Sequence, residues 1–186
     1  GDFMASDARV RYTKMVIAQS FIKLLKEKPI NKITVKAICD LSELNRATFY
    51  KHYLDVYDLL DKIELQFLNE LMAVLRSREN TTARDVLAFI MVRFKAEEEA
   101  YKAICSPNGD PAFPARILEA CRDFSLSGGV LESRKCTAVQ REWAYRFIAN
   151  GCNGILVKWI ADGMLEPISE AADFAERLID CVLTHI

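Results

Sequence analysis

Residues 34–53 read TVKAICDLSELNRATFYKHY, and this stretch decides how the chain is understood. Thr34 can cap a helix, because its hydroxyl accepts a bond from an otherwise unpaired first-turn N–H. The spacing predicts a short helix over 35–40, with Ile38 and Leu41 on its inner edge at i, i+3. Ser42, Glu43 and Leu44 form the link. Asn45 then caps a second helix from Arg46 to about Tyr53. Leu44 and Phe49 face inward and pin the pair together. Arg46, Thr48, Tyr50, Lys51 and His52 remain for the outside. Two helices across a tight turn, the second rich in polar donors, fit a helix-turn-helix. Short amphipathic pairs are common, so this pattern alone does not single out DNA.

The flanking sequence supplies the context. Residues 7–28 read as a helix with Met15, Ala18, Phe21, Ile22 and Leu25 on one apolar face. Arg9, Arg11 and Lys14 cluster at its start, where the helix dipole prefers acids; an anionic partner would offset that cost. Pro29 ends the helix by disfavouring the α conformation at Lys28. Beyond the turn, residues 55–78 predict a long helix of about 36 Å. Its stripe runs through Val56, Leu59, Leu60, Ile63, Phe67, Leu71, Val74 and Leu75. Asp55, Asp58 and Asp61 suit its N-terminus. A helix of this length exceeds what a three-helix head needs and joins the head to a body.

Composition bounds the rest. With 186 residues, 51% of them hydrophobic, the chain can bury a sizeable core. Only 7 Gly and 5 Pro encode few turns, which favours long helices. No apolar run reaches the roughly 18 residues of a membrane span, and no secretory signal is recognised. Residues 1–3, ahead of Met4, are set aside. The net charge of −1 hides an asymmetry: residues 1–53 carry ten Lys/Arg against five Asp/Glu, while the remainder carries fifteen against twenty-one. A basic head on an acidic body suits a polyanion-binding module joined to something else; a merely solvated face is the plainer explanation of a modest excess.

The body reads as helices. Thr81 or Thr82 caps a helix over 83–95, with residues 96–105 extending it or following separately. Glu97, Glu98 and Glu99 read as a solvated face. Residues 106–111, SPNGDP, are the clearest loop. A helix over 113–124 ends at a Ser127-Gly128-Gly129 break. A long helical stretch over 137–163 contains Gly151 and Gly154, and glycine inside a helix costs about 1 kcal/mol against alanine. Helix–helix packing is the expected return. Pro167 opens a last helix bearing Ala171, Phe174, Ala175, Leu178, Ile179 and Val182. These two helices supply either a homodimer's four-helix interface or closure of the chain's own core. The candidate interface residues are Gly151, Gly154, Ile155, Trp159, Phe174 and Leu178.

Catalytic patterns are missing. There is no Gly-rich phosphate loop, no G-x-S-x-G and no H-E-x-x-H, so an enzyme is not expected. His52 and His185 are the only histidines, and the six cysteines are widely spaced without C-x-x-C; neither a metal site nor a cofactor is expected. The cysteines read as buried free thiols in a reducing cytoplasm, with Cys105, Cys121 and Cys136 as candidates for a redox sensor. Aromatic residues of the body could line an apolar cavity, and Phe94, Tyr101, Phe113, Phe124, Trp143 and Phe147 are the candidate ligand contacts. At helical spacing most aromatics are core.

The run ICDLSELNRATFYKHY, residues 38–53, resembles the signature of the tetracycline-repressor (TetR/AcrR) family, roughly I-A-x-x-A-G-V-[ST]-x-x-[TS]-[LF]-Y-x-[HY]-F. The G-x-x-G-x-x-x-x-W run at residues 151–159 is more weakly similar to C-terminal domains of Firmicutes-type members. The resemblance implies an all-α fold: a three-helix DNA-binding head over 7–54 and an effector-binding, dimerising bundle over 55–186. It implies a cytoplasmic homodimer on palindromic double-stranded operator DNA, with no membrane, acting as a repressor released by a small, largely apolar effector. Thr48 and Tyr50 would meet phosphates, with Lys51 and His52 near the backbone. Asn45, Arg46 and Ala47 would face base edges, Arg46 on guanine and Asn45 on adenine. The N–H groups at Thr34 or Val35 would receive a phosphate.

Three departures from the family pattern matter. Glu43 replaces the turn glycine, which implies altered geometry and adds a negative charge. Ser42 replaces an alanine. Val56 stands where many members carry a phosphate-contacting lysine. They motivate an alternative: an adapter or coactivator of the same fold, acting through a protein partner without its own operator.

Overall fold

The computed structural model describes residues 2–77, 82–126, 131 and 135–185, with side chains from residue 7 onward except 77, 123 and 124. Among these residues the secondary structure is helical, with no strand. The backbone forms two compact units, Gly1–Gln66 with Glu99–Pro111, and Phe67–Glu98 with Ala112–Ile186.

In the first unit, α1 (Asp2–Glu27) buries Ile17, Phe21 and Leu25 completely. Successive i+4 steps stack these side chains on one face, with Ser20 alongside. Met15, expected on that face, is 47% exposed. It lies two residues before Ile17, about 160° away around the helix. After a 3₁₀ turn (Ile30–Lys32), α2 spans Val35–Ser42. Thr34 caps it as expected, its hydroxyl accepting from Ala37 N–H at 3.1 Å. The inner residues of α2 are Ile38, Cys39 and Ser42; Leu41 points outward, contrary to expectation.

Glu43 closes α2 in the left-handed conformation, φ 56° and ψ 31°. Leu44 N–H reaches back to Cys39 O at 3.1 Å, the six-to-one bond of a Schellman ending. This is the conformation a glycine adopts freely. The expected change of geometry does not occur: the turn survives and the glutamate carries the strain. Asn45 caps α3 (Arg46–Tyr50), its Oδ1 accepting from Ala47 N–H at 2.8 Å. The helix stops three residues short of the expected Tyr53, which is buried against Phe49.

The long helix α4 spans Val56–Ser77. Asp55 Oδ1 accepts from Tyr57 and Asp58 N–H groups at 2.8 and 2.9 Å, while Asp58 accepts from Leu54 N–H at 2.8 Å. Two of the three acids expected to favour the dipole, Asp55 and Asp58, thus bond backbone N–H groups at the start of the helix directly. Val56 is buried, so its side chain serves the core.

The α6 helix (Glu98–Ile104) and the loop after it provide the remainder of the first unit. Asn108 Nδ2 donates to Leu25 O and Asn108 O accepts from Ile30 N–H, both at 2.9 Å. The loop therefore supplies partners on either side of the end of α1. Gly109 is obligatory: a Cβ there would lie 2.3 Å from Ile104 O. Glu97, Glu98 and Glu99 are more than a solvated face, since they pair with Arg93, Lys95 and Lys26 respectively.

In the second unit, α5 (Ala83–Ala96) begins with a reciprocal capping box between Thr82 and Asp85. Thr82 is therefore the cap; the alternative Thr81 lies outside the described residues. The helix expected over 113–124 is two helices, α7 (Phe113–Ala120) and α8 (Arg122–Leu126). Leu118 O accepts both Cys121 N–H at 3.1 Å and Tyr145 Oη–H. That acceptor would otherwise serve residue 122 in an unbroken helix. The expected break at Ser127-Gly128-Gly129 lies outside the described residues. A second capping box, Thr137 with Gln140, opens α9 (Ala138–Ala161). Gly163 and Met164 turn the chain with positive φ, and α10 (Ile168–Thr184) follows Pro167. It buries Ala172, Ala175, Ile179 and Leu183, whereas Phe174 and Leu178 are about half exposed.

Candidate functional site

The turn and α3 gather the expected nucleic-acid contacts on one surface element. Arg46, Ala47, Tyr50 and Lys51 are exposed, Tyr50 at 56% with its ring edge-on to buried Phe49 at 5.6 Å. Phe49 thereby anchors the helix from inside while its neighbours face out. Thr48 is half-buried. Asn45 is exposed, but its Oδ1 is taken by the cap, and pairing with adenine requires both ends of the amide. Thr34 is likewise exposed with its hydroxyl engaged at the start of α2.

His52 is half-buried just past α3. Burial first, then the charges of Lys14, Lys51 and Lys62, push its pKa below the ordinary histidine value. The imidazole is therefore neutral near pH 7. Lys62 also donates to His52 O at 2.9 Å and to Asp58 at 2.9 Å. Three lysines from separate parts of the sequence thus act on one imidazole. Lys62 was missed in the sequence because it falls on the polar side of a core-forming helix, ten residues away.

Of the six aromatics expected at a ligand, the five whose side chains are described do not line the apolar cavity of the second unit. Phe94 and Phe113 are completely buried and pack against Phe67 at 5.4 and 5.7 Å between ring centroids. Tyr101 is buried in the first unit. Trp143 and Phe147 are 66% and 68% exposed. The side chain of Phe124 lies outside the described residues. Helical periodicity sends an aromatic either into the core or onto the outside, and a cavity wall has no separate period.

That cavity, of about 100 Å³, is walled by aliphatic and small side chains of α5, α7, α9 and α10, among them Val86, Leu87, Leu118, Ile148 and Ile179. Its polar groups are already engaged. Tyr145 Oη donates to Leu118 O, Ser125 Oγ to Cys121 O at 3.0 Å, and Cys121 Sγ to Ile117 O at 3.4 Å. Burial pushes the Cys121 thiol up to about 12 and raises Cys152. Both thiols are protonated at neutral pH and poor nucleophiles. Cys105, in the first unit, is also pushed up to about 12, by burial and then by Glu64 and Asp110. Neither Cys105 nor Cys121 has the depressed pKa of a reactive thiol. Among the described residues no His/Cys/Asp/Glu group is placed to hold a metal, and no helix is long and apolar enough to cross a membrane.

The expected interface residues divide. Gly151 and Gly154 are exposed, with nothing outside their own helix backbone within 4 Å of where a Cβ would stand, so no packing among the described residues uses them. Ile155 is half-buried, and Phe174 and Leu178 are exposed. Trp159 is the exception: it is 4% exposed, and its Nε1 donates to Glu166 O at 3.1 Å. It belongs to the chain's own core, because its polar edge is needed to fasten the turn after α9.

A helix-turn-helix with an outward second helix, followed by an all-α bundle with its own cavity, defines the class of a helical transcriptional regulator. The family model TetR_C_8, described as a transcriptional regulator C-terminal region, matches residues 81–181, more than half of the chain. This chain belongs to that family of TetR-type regulators. No curated protein matches it. Among solved structures, the dihydroxyacetone kinase operon activator DhaS superposes with a TM-score of 0.65 at 17% identity, over 94% of this chain and 96% of its own. A TetR transcriptional regulator from Streptococcus agalactiae 2603V gives 0.64 at 20% identity, over 95% and 98%. The regulator FadR from Bacillus subtilis, in complex with stearoyl-CoA, gives 0.62 at 13% identity, over 92% and 98%. At such identities the likeness is one of fold.

Proposed function

We propose that this protein is a homodimeric repressor that binds operator DNA through α2 and α3 and is released by a small, largely apolar effector. The observation that carries the DNA reading is the intact turn. Glu43 holds the left-handed conformation, and α3 offers Arg46, Ala47, Tyr50 and Lys51 outward. Tyr50, Lys51, Thr48 and His52 take phosphates, and Arg46 reads a guanine. The start of α2 at Thr34 receives a further phosphate. The adapter alternative loses one of its motives, since the turn keeps its geometry. The charge of Glu43, the serine at 42 and the absence of a lysine at Val56 still favour it.

The functional division is a DNA-binding segment over 7–54 and an effector and dimer segment over 55–186. The cavity of the second unit supports the effector reading, because its apolar walls and engaged polar groups favour a hydrophobic guest. The exposed apolar residues of α9 and α10, Trp143, Phe147, Phe174 and Leu178, support a second copy as partner, with Gly151 and Gly154 allowing close approach. Two charged replacements, Trp143→Asp and Phe147→Asp, should leave a monomer in sedimentation.

The deciding experiment is titration of labelled DNA from the protein's own promoter at several salt concentrations. Each phosphate contact should add about 0.9 to the slope of log affinity against log salt. Absence of salt-sensitive binding, with a stable protein partner recovered instead, would select the adapter.

A further inference from the structure

A second chamber of about 110 Å³ adjoins the apolar cavity, and the two share Leu118, Tyr145 and Ala149 as walls. The hydrogen bond from Tyr145 Oη to Leu118 O lies in that shared wall. The chambers differ in chemistry. Among the described residues, the inner one has no unengaged polar side chain to offer beyond its protonated thiols. The outer one is lined by Glu119, Arg146, Asn150 and Asn153 as well as the shared wall. Its charges are offset: Arg146 Nε binds Glu142 at 2.8 Å, and Glu119 lies 4.0 Å from Arg122. Asn150 Nδ2 donates to Arg146 O at 2.8 Å. Asn153 Oδ1 differs from all of these, being shut from water with no hydrogen-bond partner.

A buried acceptor without a donor is costly, and a turn of the Asn153 side chain that brings its Oδ1 to a ligand O–H or N–H in the chamber it lines recovers the lost bond. A charged head would enter a chamber whose own charges already cancel, giving up its hydration without a free counterion. We propose that the two chambers take one amphipathic ligand, with an apolar body in the inner chamber and an uncharged hydrogen-bond-donating head, hydroxyl or primary amide, against Asn153. This rests on the reading of the cavity as the effector site and narrows its ligand class. The head would lie beside the bond that joins α9 to the broken α7–α8 segment.

The test uses the full chain and a ten-carbon series in calorimetry: 1-decanol, decanamide, decyl methyl ether, decanoate and decylamine. Decanol and decanamide should bind about tenfold more tightly than the ether, which has no donor. Asn153→Leu should bring decanol to within about twofold of the ether and leave the ether unchanged. If that variant does not fold, Asn153→Ser, too short to reach the head, carries the same expectation. Tighter binding of decanoate or decylamine, or a donor preference that survives at position 153, overturns the proposal while leaving the cavity as a ligand site. If no member of the series binds, and a cavity-filling Ala149→Trp leaves operator release by cell extract unchanged, the effector reading falls as well.

Discussion

The turn around Glu43 and the cavity beside Tyr145 are built by opposite means. At the turn, each group's partner is nearby in the chain: Thr34 with Ala37, Cys39 with Leu44, Asn45 with Ala47. Around the cavity the walls come from helices distant in the chain, and one bond among them, from Tyr145 to Leu118, spans twenty-seven residues beside the break between α7 and α8. Local bonds can be anticipated from residue types at fixed offsets. Distant ones depend on which helix faces which. The turn tolerates a residue in a strained conformation because its neighbours over-determine it, whereas the cavity depends on several helices holding their places together.

The sharpest test of this contrast is in the aromatic cluster of the second unit. Phe113→Ala should cost about 3–5 kcal/mol in denaturant unfolding, the price of emptying a fully buried ring site. A loss under about 1 kcal/mol would show that the cluster is not core and would reopen its candidacy as a ligand wall. Next comes the recognition helix. Arg46→Ala should weaken operator binding by about 1–3 kcal/mol, with the loss concentrated at one base pair. If every base pair is affected alike, Arg46 is a phosphate contact instead.

A smaller effect probes the strain at the turn. Glu43→Gly should stabilise the protein by about 1 kcal/mol, since only glycine adopts φ 56° without penalty. Thermal unfolding would read this, and an unchanged or lower midpoint would mean that the glutamate is not strained there. Removing its negative charge should also strengthen DNA binding.

The least effect is expected from pH. His52 is held neutral by burial and by three lysines, and a bound phosphate favours the charged imidazole. Operator binding should therefore take up a proton, so affinity rises as pH falls from about 8 to about 6. Replacing His52 with Gln should flatten that part of the profile; a slope that persists would assign the proton elsewhere. For folding the sign is reversed. The unfolded chain binds the proton first, below about pH 6.5. This histidine's contribution to stability is present above that value and is lost as pH falls through its lower folded pKa.

Several elements were legible because their cause is short-range. Thr34 and Asn45 cap where their side chains suit capping. At Glu43 the departure from glycine predicts a different turn, yet the surrounding bonds keep the same one. Steps of three predict Met15 and Leu41 inward, while the buried faces of α1 and α2 are centred on Ile17 and Ile38. Trp159 was assigned to an interface on its apolar size, yet its indole N–H is fastened to Glu166 within the chain.

By itself the amino-acid order determined the all-α class, the capped turn, the basic head and the family, because each rests on spacing or charge within a few tens of residues. The tertiary structure alone decided which face of each helix is covered. It set Asn108 beside the end of α1, bonded Tyr145 to Leu118 where α7 gives way to α8, and left Asn153 with a buried acceptor next to an apolar cavity. These depend on contacts between residues far apart in the chain, whose pairing is fixed only when the helices pack.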